Sequence, residues 1–222
     1  MSPRRNIEKE LSALQDACWA CRKCVDEGII PDAAPVFAGR ASAPFFLVGQ
    51  APGPIERQSR QPFSGRAGRQ LGRWMVTAGF ASEEEFRRLT YIAALMRCFP
   101  GRVGSGIGDR PPPSRAVQNC ASWLQAELEL LRPQVLILVG QMAITRFLGP
   151  GSLEERVGRT FGSRPVMVPL PHPSGQSRWL NDRANRQRLA DALATLNEER
   201  RRVLEQRDPG AGQRPGHPGS RY

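Results

Sequence analysis

Five cysteines are the residues whose types and spacing point most directly to chemistry. Cys18, Cys21 and Cys24 recur every three residues, and Cys98 and Cys120 follow far downstream. A C-x-x-C pair brings two thiolates to one metal, and two distant cysteines can complete a four-thiolate site. Without a nearby histidine, such a site suits zinc or a [4Fe–4S] cluster, and the spacing does not separate the two. The alternative is that some cysteines pack as small hydrophobic residues.

Two further segments carry reactive or polar groups directly after predicted strands. Gln50-Ala51-Pro52-Gly53 follows the apolar run at 45–49, and His172-Pro173-Ser174 follows a run at 165–169. In parallel sheets, ligands bind beyond the carboxyl ends of the strands. We therefore expect the two segments to share one cleft.

The elements that must position these residues are read from apolar periodicity. Strands are predicted at 45–49, 91–96, 135–139 and 165–169, and helices at 7–18, 66–79, 114–131, 141–148 and 182–205, with Ser114 as an N-cap. Their alternation predicts a three-layer α/β/α domain with a central, mostly parallel four-stranded sheet. We expect one domain over 1–206, including the cysteines, and a basic, disordered tail at 207–222.

The charge balance indicates a polyanionic partner. The net charge is +11 and the pI is about 10.8, and arginine supplies nearly all of the positive charge, since Lys9 and Lys23 are the only lysines. Arginine binds phosphate oxygens in a bidentate geometry, so its abundance favours nucleic acid as the partner. The alternative is a general bias toward arginine in the composition. No stretch reaches the roughly 18 apolar residues of a membrane span, and no secretory signal is visible, so we expect the protein in the cytosol. We also expect a monomer.

Several motifs, in order, resemble the iron–sulfur branch of the uracil-DNA glycosylase superfamily. They are Val48–Gly53 (G-E-A-P-G in the family), Gln61–Gly68 (R-P-F-x-G-x-A-G), Tyr91–Pro100 (Y-I-T-N-x-x-K-C-R-P), Leu130–Pro133 with Glu127 and Cys120, Val139-Gly140, and His172–Ser174 (H-P-S). Each motif alone is weak, but their order and spacing over about residues 15 to 195 are specific.

The resemblance implies a uracil-excising DNA repair enzyme whose cluster is structural. The implied cluster ligands are Cys21, Cys24, Cys98 and Cys120, with Cys18 able to replace one of the first two. The implied partner is DNA containing uracil, single- or double-stranded. The implied substrate-binding residues are Ala51, Pro52, Gly53, Glu56, Phe63, Ser64, Ser174 and Arg178.

Two positions depart from the family pattern. Gln50 replaces the acidic residue that activates water in relatives, and an amide orients water but cannot accept its proton. Ala94 falls where the family reads uracil with an asparagine. The two departures indicate an outlying subgroup.

The expected chemistry is base flipping followed by a dissociative cleavage. Phe63 would stack on the flipped base, and His172 would donate a hydrogen bond to the departing base as charge develops on it. Gln50 would position water, and Glu56 would add electrostatic support or remain a solvated loop residue. Ser174 and Arg178 suit phosphate contacts.

Three other functions compete with this prediction. The missing asparagine allows a glycosylase for another deaminated base, and Gln50 allows a non-catalytic binder of DNA lesions. The loop at 101–113 has no histidine, so the covalent linkage to abasic DNA formed by some relatives is not expected. A ferredoxin-like redox role would leave the H-P-S motif and the basic charge unexplained.

Overall fold

A four-stranded sheet forms the centre of the protein. The computed structural model describes residues 3–104, 108–174 and 178–207, so the predicted tail at 207–222 lies, except for Arg207, outside the described residues. The strands are β1 (Phe45–Gly49), β2 (Thr90–Ala94), β3 (Val135–Val139) and β4 (Val166–Leu170). Their order is β2-β1-β3-β4 and every pairing is parallel. The four carboxyl ends therefore lie at one edge of the sheet.

Helices precede, connect and follow the strands. They are α1 (Pro3–Trp19), α2 (Lys23–Asp26), α3 (Pro54–Ser59), α4 (Arg66–Thr77), α5 (Glu83–Leu89), α6 (Ser114–Leu131), α7 (Gln141–Leu148), α8 (Leu153–Arg156) and α9 (Arg183–Arg207), with a 3-10 helix at Arg178–Asn181. Within the described ranges, none of them combines the length and apolar character needed to span a bilayer.

Apolar side chains cover both faces of the sheet, as a parallel sheet requires. Alternate residues of β1 point to opposite sides: Phe45 and Leu47 pack with α4, α5 and α9, while Phe46 and Val48 pack with α1, α6 and α7. Residues of β1, β2 and β3 are all buried. The prediction of a three-layer α/β/α fold is confirmed, and the sheet is entirely parallel.

Local differences from the predicted elements have physical reasons. The helix α5 was not predicted because only Phe86 and Leu89 are buried in it; Ser82 caps it by accepting a hydrogen bond from the Glu85 amide at 3.2 Å. The N-cap of α6 is Pro113, so the prediction of Ser114 as the cap was wrong. Arg207 belongs to α9, although the sequence assigned it to the tail.

Candidate active site

A cleft of about 1090 Å³ opens at the edge of the sheet where the strands end. The loops after β1, β2 and β4 all reach it, because parallel strands place their carboxyl ends together. The predicted meeting of the Gln50–Gly53 segment with His172 is therefore present in the structure. Residues Gln50, Ala51, Pro52, Gly53, Glu56, Phe63, His172 and Ser174 all line this cleft.

The His172 imidazole is held in one orientation. Its Nδ1 accepts a hydrogen bond from the Ser174 backbone amide at 3.2 Å, and burial lowers the pKa of the ring below its usual value. A neutral ring whose Nδ1 accepts must carry its proton on Nε2. The assignment rests on this hydrogen bond, and it leaves Nε2–H as the one donor that the ring can offer to a ligand.

Gly140 lies against that imidazole. Its φ is +87°, and a Cβ placed there would make ordinary van der Waals contact with His172, at 3.4 Å from Cδ2 and 3.5 Å from its Cβ. A side chain at this position would be strained by the positive φ and not by the ring. The Val139-Gly140 motif therefore supplies a backbone turn beside His172.

The carboxylate of Glu56 ties two loops of the cleft together. It is buried, with Oε2 accepting from the Gly53 amide at 3.1 Å and Oε1 accepting from the Gly65 amide at 2.8 Å. Because both oxygens accept backbone N–H groups, Glu56 braces the start of α3 against the start of α4. The alternative of a solvated loop glutamate was wrong.

Contacts made by the Phe63 backbone fix this residue beside the cleft. Its φ is +53°, its carbonyl accepts from Nη2 of Arg87 at 2.9 Å, and that carbonyl lies so close to Gly68 that a Cβ there would be 1.7 Å away. The ring is half-buried against the core and reaches within 3.3 Å of a Cβ built on Gly49. Phe63 is thus less exposed than its polar loop suggested, but it still presents a surface to the cleft.

Some predicted residues lie elsewhere or play another part. Ser64 does not line the cleft; its hydroxyl pairs with that of Ser59 at 2.8 Å. Arg178 begins the 3-10 helix and is exposed, outside the residues that line the cleft, whereas Leu180 and Asn181 reach it. Ala94, at the end of β2, lines the cleft with a methyl group only.

Sequence reasoning missed charged residues that surround the cleft. Asp109 lines it from the loop between β2 and α6, and five further polar side chains do so as well: Arg66, Gln70, Arg73, Arg102 and Arg110. Arg66 is exposed at the start of α4, and Arg73 is exposed about two turns further along the same helix. The signal available in the sequence is that the 101–113 loop, with its charged residues, follows a strand whose carboxyl end meets the cleft.

All five cysteines line a second, smaller cavity between α1, α2, the end of β2 and α6. Burial raises the pKa of Cys18 and of Cys98 to about 12 and that of Cys120 to about 11. The cavity lining contains neither histidine nor carboxylate, and its other polar residues are Arg22, Arg97 and Asn119. Among the described residues, no group of three or more His, Cys, Asp or Glu side chains is arranged to hold a single metal ion.

A buried ion pair supports the wall of the cysteine cavity. The Arg97 guanidinium pairs with the Glu127 carboxylate, whose other oxygen accepts from the Tyr91 hydroxyl at 2.9 Å. Both charged side chains are almost fully enclosed. The Arg97 backbone amide also approaches Sγ of Cys120 at 3.5 Å, so the pair is connected directly to the cysteines.

Comparison with known proteins identifies relatives by sequence. The chain is similar to a Type-4 uracil-DNA glycosylase of Archaeoglobus fulgidus, with 30% identity over 124 residues, which covers 56% of each chain. It is 24% identical over 174 residues to a Type-4 uracil-DNA glycosylase of Saccharolobus solfataricus, covering 74% of this chain and 76% of the relative. A Type-5 uracil-DNA glycosylase of Pyrobaculum aerophilum is 30% identical over 91 residues, 39% of this chain and 37% of the relative.

The coverage of these relatives is partial, and the chain spans about half the length of the Archaeoglobus protein that it matches. The model of the Uracil DNA glycosylase superfamily, however, matches residues 37–197. That range contains all four strands, the Gln50–Gly53 loop, Phe63 and His172. The match covers most of the chain and includes the loops after β1 and β4 that line the cleft. The protein therefore belongs to the uracil DNA glycosylase superfamily.

Proposed function

We propose that the protein hydrolyses the N-glycosidic bond of uracil in DNA and leaves an abasic site. The observation that carries this proposal is the His172 imidazole, neutral and with one N–H donor, at the cleft that also holds Phe63. A neutral donor suits a leaving base on which negative charge develops, because its hydrogen bond strengthens as the bond to the sugar breaks. Membership of the superfamily supports the same reaction.

The cleft offers a place for a flipped nucleotide. Phe63 presents its ring beside Gly49, where a base can stack, and the Arg87 guanidinium fixes the loop by binding the carbonyls of Pro62 and Phe63 at 2.9 Å each. With the methyl group of Ala94 in the cleft, recognition of the base edge falls to backbone groups beside Gln50 and Phe63 and to His172. The base departs along a dissociative path that leaves an oxocarbenium-like sugar in the strand, and Gln50 orients the water that attacks it.

The DNA backbone would follow the basic rim of the cleft. Arg66, Arg73 and Arg102 are exposed side chains among the residues that line it, and Ser174 adds a polar contact beside His172. Arginines of this kind bind phosphates irrespective of sequence and set the register of the duplex or single strand. We propose a monomer bound to uracil-containing DNA, with Arg178 at the outer edge of the contact.

The cysteines fit a thiolate-ligated cluster. Their cavity has a donor set made only of sulfur, and the side-chain amide of Asn119 donates to Sγ of Cys24 at 3.7 Å, a contact suited to a thiolate ligand. A set of thiolates suits zinc or a [4Fe–4S] cluster, and the similarity to Type-4 uracil-DNA glycosylases, together with the motifs of the iron–sulfur branch, favours the cluster. Cys21, Cys24, Cys98 and Cys120 would hold a [4Fe–4S] cluster, and Cys18 remains an alternative to Cys21 or Cys24.

When bound, such a cluster would join three parts of the chain, namely the α1–α2 segment, the end of β2 and α6. Two of these parts flank the 101–110 loop that lines the cleft. The expected contribution of the cluster is therefore structural: it fixes the base of a loop that faces the substrate.

Excision of another deaminated base is the second candidate, and Ala94 is the observation that favours it. Because no side chain at the end of β2 pairs with the base edge, the site would tolerate different hydrogen-bonding patterns. The test is a cleavage assay with single- and double-stranded oligonucleotides that carry uracil, hypoxanthine or xanthine, with alkali treatment to reveal abasic sites. Uracil processed fastest supports the proposal; hypoxanthine or xanthine processed faster supports the second candidate, and no cleavage of any substrate contradicts both.

A further inference from the structure

Two carboxylates lie among the described residues that line the cleft, Glu56 and Asp109. Both oxygens of Glu56 already accept backbone N–H groups, from Gly53 and from Gly65. Both oxygens are therefore engaged in holding two loops together. Asp109 is therefore the carboxylate of this cleft that is open to a water molecule.

The backbone of the 101–110 loop fixes where Asp109 stands. The Arg110 amide donates to the Gly101 carbonyl at 2.8 Å and the Val103 amide donates to the Gly108 carbonyl at 3.0 Å, so the two arms of the loop are paired. The Arg110 side chain anchors the loop further by donating to the Ile29 carbonyl at 3.1 Å. Asp109 thus sits on an arm of the loop that backbone hydrogen bonds hold in place.

The carboxylate of Asp109 faces the loop that carries Gln50. A Cβ built on Gly53 would lie 3.4 Å from Oδ2 of Asp109. Gly53 is three residues after Gln50, and Gln50, Gly53, Asp109 and His172 all line the same cleft. A carboxylate from a different loop therefore lies in the same cleft as the position that lost its acidic residue.

The charges around Asp109 suit a proton acceptor. Partial burial raises the pKa of the Asp109 carboxyl, the Arg102 guanidinium on the opposite arm of the loop lowers it, and the Glu56 carboxylate on α3 raises it. His172, beyond β4, shares the cleft as a neutral ring, and Nη2 of the neighbouring Arg110 guanidinium donates to the Ile29 carbonyl. A raised pKa makes a carboxylate a stronger proton acceptor than an ordinary aspartate.

We propose that Asp109 is the general base of this enzyme, replacing the acidic residue that Gln50 displaces; the inference rests on the proposed excision reaction. The bond between C1′ and the base nitrogen breaks with its electron pair on the base, while His172 stabilises that anion. The water oxygen then bonds to C1′, and one water proton passes to an oxygen of Asp109. The proton returns through solvent to the released base, so the overall reaction consumes one water.

The test compares single-turnover excision rates of the full-length protein on a uracil oligonucleotide. Asp109→Asn should lower the rate by about 10²-fold or more, within the usual contribution of a general base, without weakening DNA binding measured by anisotropy. Asp16→Asn is the matched control, because it also removes one negative charge. Asp16 is exposed on α1 and lies far from Asp109 in the sequence, so this variant should leave the rate unchanged.

A second variant separates chemistry from structure. Asp109→Ala should regain part of its rate when sodium formate is added, because a small carboxylate can occupy the vacated place; sodium chloride at equal ionic strength should not restore it. Excision by Asp109→Asn at the wild-type rate, or a slow Asp109→Ala that formate does not restore, would overturn the assignment. If the wild type releases no base, both the proposed excision reaction and this inference fail. If the wild type is active and Asp109→Asn is equally active, only the inference about Asp109 is overturned.

Discussion

His172→Ala should be the most damaging single change among the residues that touch the leaving base. The ring has one hydrogen bond to give, because Nδ1 already accepts the Ser174 amide at 3.2 Å and only Nε2–H is left. Removing one preorganised donor to a developing anion lowers the rate by about 10²–10³, or about 2.7–4 kcal/mol. Gln50→Ala should cost distinctly less, because an amide orients water but takes no proton from it.

The assay is release of free uracil from a labelled oligonucleotide with enzyme in excess, so that each substrate turns over once. The ratio of wild-type to His172→Ala rates isolates the histidine. Since burial lowers the pKa of His172, this ratio should hold steady as the pH falls to about 6.5, the usual histidine value, and should decline only below it. The reasoning would be refuted if Gln50→Ala abolished excision while His172→Ala left it intact, or if the ratio fell already above that pH.

Three further outcomes are expected. Glu127→Gln leaves the enclosed Arg97 guanidinium without its counter-charge and should lower the free energy of unfolding by about 3–5 kcal/mol in urea titrations; an unchanged urea midpoint would contradict the buried pair. The purified protein should absorb broadly near ~400 nm, and Cys98→Ser or Cys120→Ser should lose that band, whereas a colourless wild type with one bound zinc would exclude the cluster. Affinity for DNA should fall log-linearly as salt rises, and a flat response in anisotropy titrations would mean that the arginines do not bind phosphate.

Much of the fold could be predicted from local sequence. The run Val135–Val139 is apolar without a break and ends at a glycine, which suits a strand covered on both faces, and it forms the β3 strand. The helix α5 is different: its acidic first turn and the Ser82 cap stabilise it, but two buried side chains give no clear period. Such short helices depend on contacts with the core that a local pattern does not contain.

Which residues form the candidate site was easier to predict from the sequence than what each of them does there. The meeting of the Gln50–Gly53 loop with His172 follows from parallel strands alone. The tautomer of His172 and the bracing role of Glu56 depend on backbone amides of other residues, which no side-chain pattern reveals. Asp109 was missed for the same reason, since its importance comes from facing Gly53 across the cleft.

The cysteines show where sequence spacing stops being informative. The convergence of the two distant cysteines on the N-terminal group was predicted, and the cavity contains all of them. Spacing cannot choose among Cys18, Cys21 and Cys24, because they follow one another at equal intervals and all three line the cavity. That choice depends on which thiols turn toward the cluster when it binds.

The measurement that tests the central claim most directly is single-turnover release of free base from uracil-DNA by the purified protein, with retained DNA measured in the same samples. The account predicts that uracil appears as free base, that an abasic site remains in the strand, and that His172→Ala slows both together. Tight retention of uracil-DNA without release of free uracil would contradict it and would show a protein that binds the lesion without excising it.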